Sequence, residues 1–371
     1  MSNPLLKTNG LPQFTAIQAE HVEPALDQVL AENRQWLASR LKEASQPSWE
    51  NLIYPLDEAG DQLERVWSPV SHLNAVANTE ALRAAYNGCL PKLSDYHTEM
   101  GQNQALYVAV KQIAETEQQL EPSQHHALAR SLLSFRLSGV ALAEDKKQRY
   151  REISQQLSSL SSKFSDNILD ATNAWFKQVT DLSLLKGIPE SGLEMAQQAA
   201  QQRKLEGWVF TLDFPSYYSV VAYADNRELR SELYRAYTTR ASDLGANPAW
   251  DNTQTMRDIL RLRQEEAELL GFANYAEVSL AMKMADTTQE VVDFLEDLAK
   301  RSKPFAETEF AEVQVFAREH FAISDVQAWD VTYISEKMKE ARFDFTDEDL
   351  KPYFPVDKVI QGLFSLVERL Y

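Results

Sequence analysis

Six histidines, His21, His72, His97, His125, His126 and His320, are the residues through which this chain could bind a metal. A helix-borne hydrolytic zinc centre needs two imidazoles on adjacent turns with a glutamate between them, as in His-Glu-x-x-His. Both rings then reach one ion, and the carboxylate activates its water. No two of the six stand three or four residues apart, and that string does not occur. The histidines therefore read as surface or capping residues. Nucleophile chemistry fares no better: Gly-x-Ser-x-Gly, Gly-x-x-x-x-Gly-Lys and Gly-x-Gly-x-x-Gly are all missing from the sequence. No position is assigned a catalytic or metal-binding role, and the substrate-binding residues are unknown at this stage.

Three further groupings could carry chemistry. Asp344, Asp347, Glu348 and Asp349 have a spacing suggestive of a calcium loop, but the central glycine is missing, and Thr346 followed by three acids makes a better helix start. Glu307, Glu309 and Glu312 near Lys300, Arg301 and Lys303 read as a solvated helix face. Trp329, Tyr333, Phe343, Phe345, Tyr353 and Phe354 read first as core aromatics, with a peptide-binding wall as the functional alternative.

The elements that must position any such site are helical. Only 11 Gly and 14 Pro occur in 371 residues, which leaves long uninterrupted intervals, and 44% hydrophobic with 25% charged residues is ordinary for a folded chain. Val22, Leu26, Val29, Leu30, Trp36 and Leu37 mark a first amphipathic helix from Glu20, ending at Ser45-Gln46-Pro47. Ser48 can cap a second helix, which Pro55 should bend or start and Pro69 should bend or end. From Glu144 to Trp175, Tyr150, Ile153, Leu157, Leu160, Phe164 and Ile168 form one core-facing stripe, opposite a Ser-rich outer face that includes Arg151, Gln155, Ser158, Ser162 and Asp166.

Trp208 to Phe214 alternates like a strand up to Pro215, with 176–180 as its partner and a helical insert at 191–204. Helices are expected again over 226–240 and 253–270, the latter ending at Gly271, and after the Thr287/Glu290 capping box. The final segment, 358–371, carries Val359, Ile360, Leu363, Phe364, Val367 and Leu370, an apolar face that needs a partner.

A net charge of −18 repels phosphate backbones and anionic lipid, so neither nucleic acid nor a membrane is an expected partner. No apolar run reaches membrane-span length and the first ten residues contain no secretory signal. The single cysteine, Cys89, fits a reducing compartment, so the cytoplasm is the expected location.

Several strings, taken in order, resemble the thimet-oligopeptidase-like zinc metallopeptidases. They are Asn3-Pro4-Leu5-Leu6, Ser48-Trp49-Glu50-Asn51-Leu52, Ser68-Pro69-Val70-Ser71-His72-Leu73-Asn74, the run 164–172, Asn226-Arg227-Glu228-Leu229-Arg230, the run 234–242, Leu269 to Ala276, Lys283-Met284-Ala285 and Trp329-Asp330. The resemblance implies a mainly α fold: a multi-helix lobe of a clam-shaped zinc metallopeptidase, with a small β element near residues 176–214. It implies an N-terminal helical lobe over 1–175, the β element with its helical insert over 176–214, and the start of the peptidase region over 215–371, truncated before the zinc-binding motif. Zinc is the implied cofactor, with its ligands outside this chain, and short unstructured oligopeptides are the implied substrates of the complete protein. The competing expectation is a stand-alone helical protein that binds peptides or a partner without catalysis.

Overall fold

The computed structural model describes every residue except Met1, Ser2, Thr8, Asn9, Ala44, Ser45 and Gln118, and of Asp347 only the backbone. Ser45, expected at the end of the first helix, thus lies outside the described residues. The chain forms two compact units, one of residues 1–165 with 254–292 and one of 166–253 with 293–371.

The first unit begins with α1 (Ala19–Arg40), whose apolar stripe buries Val22, Leu26, Val29 and Leu30. A π-helical turn at Trp49–Ile53 leads into α2 (Tyr54–Val76). Ser48 caps that turn reciprocally with Asn51: the Asn51 amide donates to Ser48 Oγ at 3.3 Å and the Ser48 amide to Asn51 Oδ1 at 2.9 Å. Asn51 thus fills the place usually taken by Glu or Gln. Pro55 stands in the first turn of α2, where its missing amide hydrogen costs nothing. Pro69 is buried inside α2, which continues beyond it to Val76. Then follow α3 (Glu80–Gly101), α4 (Gln104–Thr116), α5 (Pro122–Leu137) and α6 (Glu144–Ala174). α1 packs on α2 and α3 around Leu26, Val29, Val70 and Cys89, all without accessible surface, and α4 packs on α5 around Ile113 and Leu128.

The Ser-rich face of α6 departs from expectation. Ser154 shares a hydrogen bond with Ser94 at 3.1 Å, Ser162 donates to Asn87 at 2.8 Å, and Arg151 pairs with Asp95 at 3.3 Å. This face lies against α3 instead of facing solvent, and its small polar side chains satisfy one another there. On the opposite stripe only Ile153 is fully buried; Leu157, Leu160 and Phe164 are half-buried.

In the second unit β1 (Phe176–Val179), α7 (Glu190–Gln202) and β2 (Trp208–Thr211) form the expected small sheet with its helical insert. β1 runs antiparallel to β2 with Phe176 opposite Thr211 and Val179 opposite Trp208. Gly207 turns the chain into β2 at φ +79°, and a Cβ there would stand 2.4 Å from the Val179 carbonyl oxygen. Gly207→Ala is expected to lower stability by about 1 to 3 kcal/mol, seen as a lower urea midpoint at unchanged slope. The strand ends at Thr211, earlier than the alternation suggested, because Pro215 opens α8 (Phe214–Tyr223) and leaves Phe214 exposed.

Next comes α9 (Arg227–Thr239), capped by Asn226 Oδ1, which accepts the Leu229 amide at 2.9 Å. The chain then returns to the first unit as α10 (Thr253–Leu270) and α11 (Tyr275–Leu280). Arg149 of α6 clamps α10 through a bidentate pair with Glu265 at 2.6 and 2.8 Å. Beside it, burial pushes the Glu266 carboxyl above the ordinary glutamate range, against the pull of the Tyr150 hydroxyl and Arg263. A carboxyl raised in the fold adds stability when protonated and loses that contribution as pH rises through its folded value. Glu266→Gln is therefore expected to match or exceed the parent's melting temperature at neutral pH, with the gain shrinking as pH falls and the carboxyl takes up its proton; a lower melting temperature for the variant at neutral pH would contradict the sign.

The second unit closes with α12 (Thr288–Phe321), α13 (Ala328–Phe343), α14 (Asp347–Leu350) and α15 (Val356–Leu370). The Thr346 hydroxyl accepts the Asp349 amide at 3.4 Å while Asp349 Oδ2 accepts the Thr346 amide at 2.8 Å. The acidic run is thus a helix start, as expected.

Candidate functional site

The histidines are scattered. His21 Nδ1 accepts the Gln18 amide at the head of α1, His72 lies 5.6 Å from the Phe14 ring, and His320 lies 4.2 Å from Phe316. His125 and His126 are exposed on α5. Among the described residues no group of three or more His, Cys, Asp or Glu side chains is placed to hold a metal ion. The residues present do not fit a zinc centre, and no chemical step is assigned to one here.

His72 lines a cavity of about 450 Å³ and His97 a larger one. In the first unit α2 to α6 line a cavity of about 730 Å³, with Leu63, Trp67, Leu93 and Phe135 among its apolar residues and serines such as Ser131, Ser134 and Ser158 between them. Its volume falls within the usual range of small-molecule sites. Two helices come unusually close at its edge: a Cβ on Gly101 would stand 2.5 Å from Ser138 Cβ. Asp57 and Glu64 of α2 open into the cavity, and among its described lining residues there is no Lys or Arg. Burial pushes the Asp57 carboxyl up, reinforced by Glu58, and holds the His97 imidazole below its ordinary value despite Glu64. The lining thus includes two acidic side chains and no Lys or Arg beside them. The sequence reading missed it. The available signal was the Asp57, Gly60, Glu64 spacing, which interrupts the apolar face of α2.

In the second unit the aromatic run splits into two environments. Tyr333 is buried, 5.4 Å from Phe321, and the Arg230 guanidinium sits 4.0 Å above its ring; Trp329 is half-buried near Tyr234. Those two serve the core. Phe343, Tyr353 and Phe354 are 63%, 78% and 66% exposed, and every residue of α15 is exposed, Ile360, Leu363 and Phe364 among them. Monomers rarely show so large an apolar surface without a use for it.

Beneath the buried aromatics lies an ion cluster that sequence reasoning did not find. Asp330 has no accessible surface and accepts from Arg230 Nη2 at 2.8 Å, Arg227 Nη2 at 2.7 Å and the Gln327 amide at 3.0 Å. Arg230 is 1% exposed and also donates to the Ala224 carbonyl at 2.7 Å. Burial alone would raise the Asp330 carboxyl, but Arg227, the Gln327 amide and Arg230 together outweigh it and hold the group below its ordinary value. The cluster ties α9 to α13, and Tyr333 extends it by donating to Asp225 at 2.9 Å. Its place between two packed helices marks it as structural, with Arg230 Nε the one buried atom of the cluster left without a hydrogen-bond partner among the described residues.

Comparison with known proteins gives these units a relationship. Residues 26–147 match the family model described as the N-terminal domain of neurolysin and thimet oligopeptidase, and residues 220–371 match peptidase family M3. Oligopeptidase A of Salmonella typhimurium is 47% identical over the whole of this chain, and that of Haemophilus influenzae 48%. Over residues 220–371 the chain is thus similar to peptidase family M3. It spans 55% of the length of both those relatives. The dipeptidyl carboxypeptidase of Escherichia coli is 25% identical over the whole chain, which covers 55% of that protein. The helical fold with one two-stranded antiparallel sheet agrees with the M3 helical lobe. Among the described residues no helix is long and apolar enough to cross a membrane.

Proposed function

We propose that the whole protein is a zinc-dependent oligopeptidase that cuts internal bonds of short unstructured peptides, and that this chain contributes channel wall and lobe packing instead of the catalytic centre. The observation that carries the reading is the 47–48% identity to oligopeptidase A across the entire chain, against 25% to a dipeptidyl carboxypeptidase. The exposed faces of α12 and α15, with Phe294, Leu295, Leu298, Leu363 and Phe364, support it as surfaces the rest of the whole protein covers. The division into a lobe at 1–175, a β element at 176–214 and the beginning of the peptidase region at 215–371 belongs to the same proposal. So do a cytoplasmic location and the lack of nucleic-acid partners, which rest on the buried lone Cys89 and the charge of −18.

The test is hydrolysis of a peptide blocked at both ends by the whole protein, with products read by mass spectrometry. Internal cleavage abolished by a chelator and restored by zinc is expected, with no cleavage by the 371-residue chain alone. Release of C-terminal dipeptides only, from unblocked peptide, would move the reading to the dipeptidyl type. The second reading, a peptide- or partner-binding protein without catalysis, is favoured by the exposed Phe343, Tyr353 and Phe354. It would stand if the whole protein bound the blocked peptide and left it intact.

A further inference from the structure

The second unit contains a pocket of about 440 Å³ that the peptidase reading does not use. Trp175, which follows α6, and Trp250, in the loop after α9, are both half-buried in its lining, with Leu212, Ala171 and Ala241 as further apolar wall. Its two arginines, Arg235 and Arg240, form no salt bridge among the described residues, and its one acid, Glu232, is taken up by Lys177 at 2.8 Å. A pocket of positive charge is thus set in a chain of net charge −18. Arg240 is half-buried and fixed in place. Its guanidinium lies 3.8 Å from the centre of the Tyr237 ring, that ring is stacked on Tyr217 at 4.0 Å, and Nη1 donates to Thr172 Oγ1 at 3.4 Å. A guanidinium held this way, with N–H groups left over, is arranged to meet a carboxylate. The loop behind it is equally fixed. Ala241 is 7% exposed and stands at φ +52°, a left-handed conformation that an alanine keeps only where its surroundings impose it. Its carbonyl accepts the amide of Asn252 at 3.1 Å, and Asn252, 1% exposed, accepts from Asn167 Nδ2 at 2.9 Å. Backbone strain of this kind in the wall of a pocket is a feature of ligand clamps.

We propose that this pocket binds small carboxylates that carry a flat aromatic ring, the carboxylate on Arg240 with Arg235 at the mouth and the ring against Trp175 and Trp250. The tryptophans supply large apolar faces for the ring, and the pre-oriented guanidinium supplies the charge. A neutral ligand of the same shape keeps the ring contact and loses the ion pair, while a cationic one meets two guanidinium groups with no acid free to answer it. A free aromatic acid and the C-terminal residue of a peptide that ends in an aromatic share this chemistry.

The test is calorimetric titration of the whole protein with indole-3-propionate, indole-3-propionamide and tryptamine. The acid is expected to bind about tenfold or more tightly than the amide, with the difference shrinking as salt is raised, and the amine not to bind measurably. Arg240→Gln is expected to erase the preference for the acid while keeping the amide's affinity. Arg235 is exposed, so Arg235→Gln tests the charge without disturbing packing: it is expected to weaken the acid about two- to fivefold and leave the amide unchanged. Trp250→Ala is expected to weaken both ligands at unchanged far-ultraviolet circular dichroism. Acetyl-Gly-Gly-Trp with a free and with an amidated C-terminus separates the two sources: the same preference there points to a peptide end, and a preference confined to indole-3-propionate points to a free acid. Equal affinity for acid and amide, an undiminished preference in both arginine variants, or no binding of any probe because other chain covers the pocket would each overturn the proposal. Peptide hydrolysis is a separate readout, so failure of either proposal leaves the other standing.

Discussion

Asp330→Ala should unfold the second unit as readily as the most damaging truncations of an apolar side chain there. Removing the carboxylate leaves Arg230, 1% exposed and over the Tyr333 ring, as a buried guanidinium with no counter-ion. Breaking one side of a buried pair costs about 3 to 5 kcal/mol, because the surviving charge keeps its desolvation penalty. A Leu→Ala truncation spans a similar range, about 2 to 5 kcal/mol, but has no charge left to rehydrate. The readout is the urea midpoint together with amide exchange, which should accelerate in α9 and α13, the helices the cluster joins. Removing both buried charges is the diagnostic comparison: Asp330→Asn with Arg230→Met should be closer to the parent than Asp330→Ala alone, since the only charge it leaves without its carboxylate is Arg227, whose side chain is 43% exposed.

The same cluster sets an acid limit. Asp330 is held below the ordinary carboxyl range, chiefly by Arg227 and the Gln327 amide working against burial. A carboxyl depressed in the fold contributes stability above its unfolded value, about 3.9, and loses it as pH falls through the folded value. The stability gap between the parent and Asp330→Asn should therefore be widest near neutrality and close in strong acid. A gap that stayed constant into that acid range would show that the carboxylate's charge is not what holds the two helices.

Legibility in the sequence followed the range of the interaction. The Ser48 cap and the Gly271 stop, at φ +84°, were readable because each depends on residues within one turn of itself. The sheet was readable too, since its strands carry β-type residues and Gly207 and Pro215 bound the second one. Pro69 misled only in part: a proline need not end a helix whose following turns are held by packing, and Val70 behind it has no accessible surface. The Ser face of α6 was placed on the wrong side because composition cannot tell a solvated polar face from one that meets other small polar groups, as Ser154 meets Ser94 and Ser162 meets Asn87. The cavity and the Asp330 cluster were invisible for a stronger reason. Arg230 and Asp330 are 100 residues apart, and the hollow is lined by five helices contributed from residues 53 to 158, so neither exists until the chain has folded. The aromatic run illustrates both cases, since Tyr333 reads correctly as core while Phe343, Tyr353 and Phe354, alike in type, are left outside it.

The exposed face of α15 supplies the second large effect, and the two readings of the protein assign it opposite signs. Val359, Ile360, Leu363, Phe364 and Val367 are 44–66% exposed, although their spacing is that of a buried helix face. In the 371-residue chain such a face should drive self-association, visible by size-exclusion chromatography with light scattering. Leu363→Lys with Phe364→Glu should shift that chain towards monomer without lowering its stability, because neither side chain is buried. In the whole protein the peptidase reading places chain against this face, where burying each large apolar side chain is worth about 1.5 to 3 kcal/mol. The same pair of substitutions should then lower the stability of the whole protein by several kcal/mol and its peptide hydrolysis with it. A binding protein that uses the face openly would instead keep its stability and lose only affinity for its peptide or partner. Unaltered melting temperature in the doubly substituted whole protein would thus remove the packing role assigned to α15, even if hydrolysis had already been demonstrated.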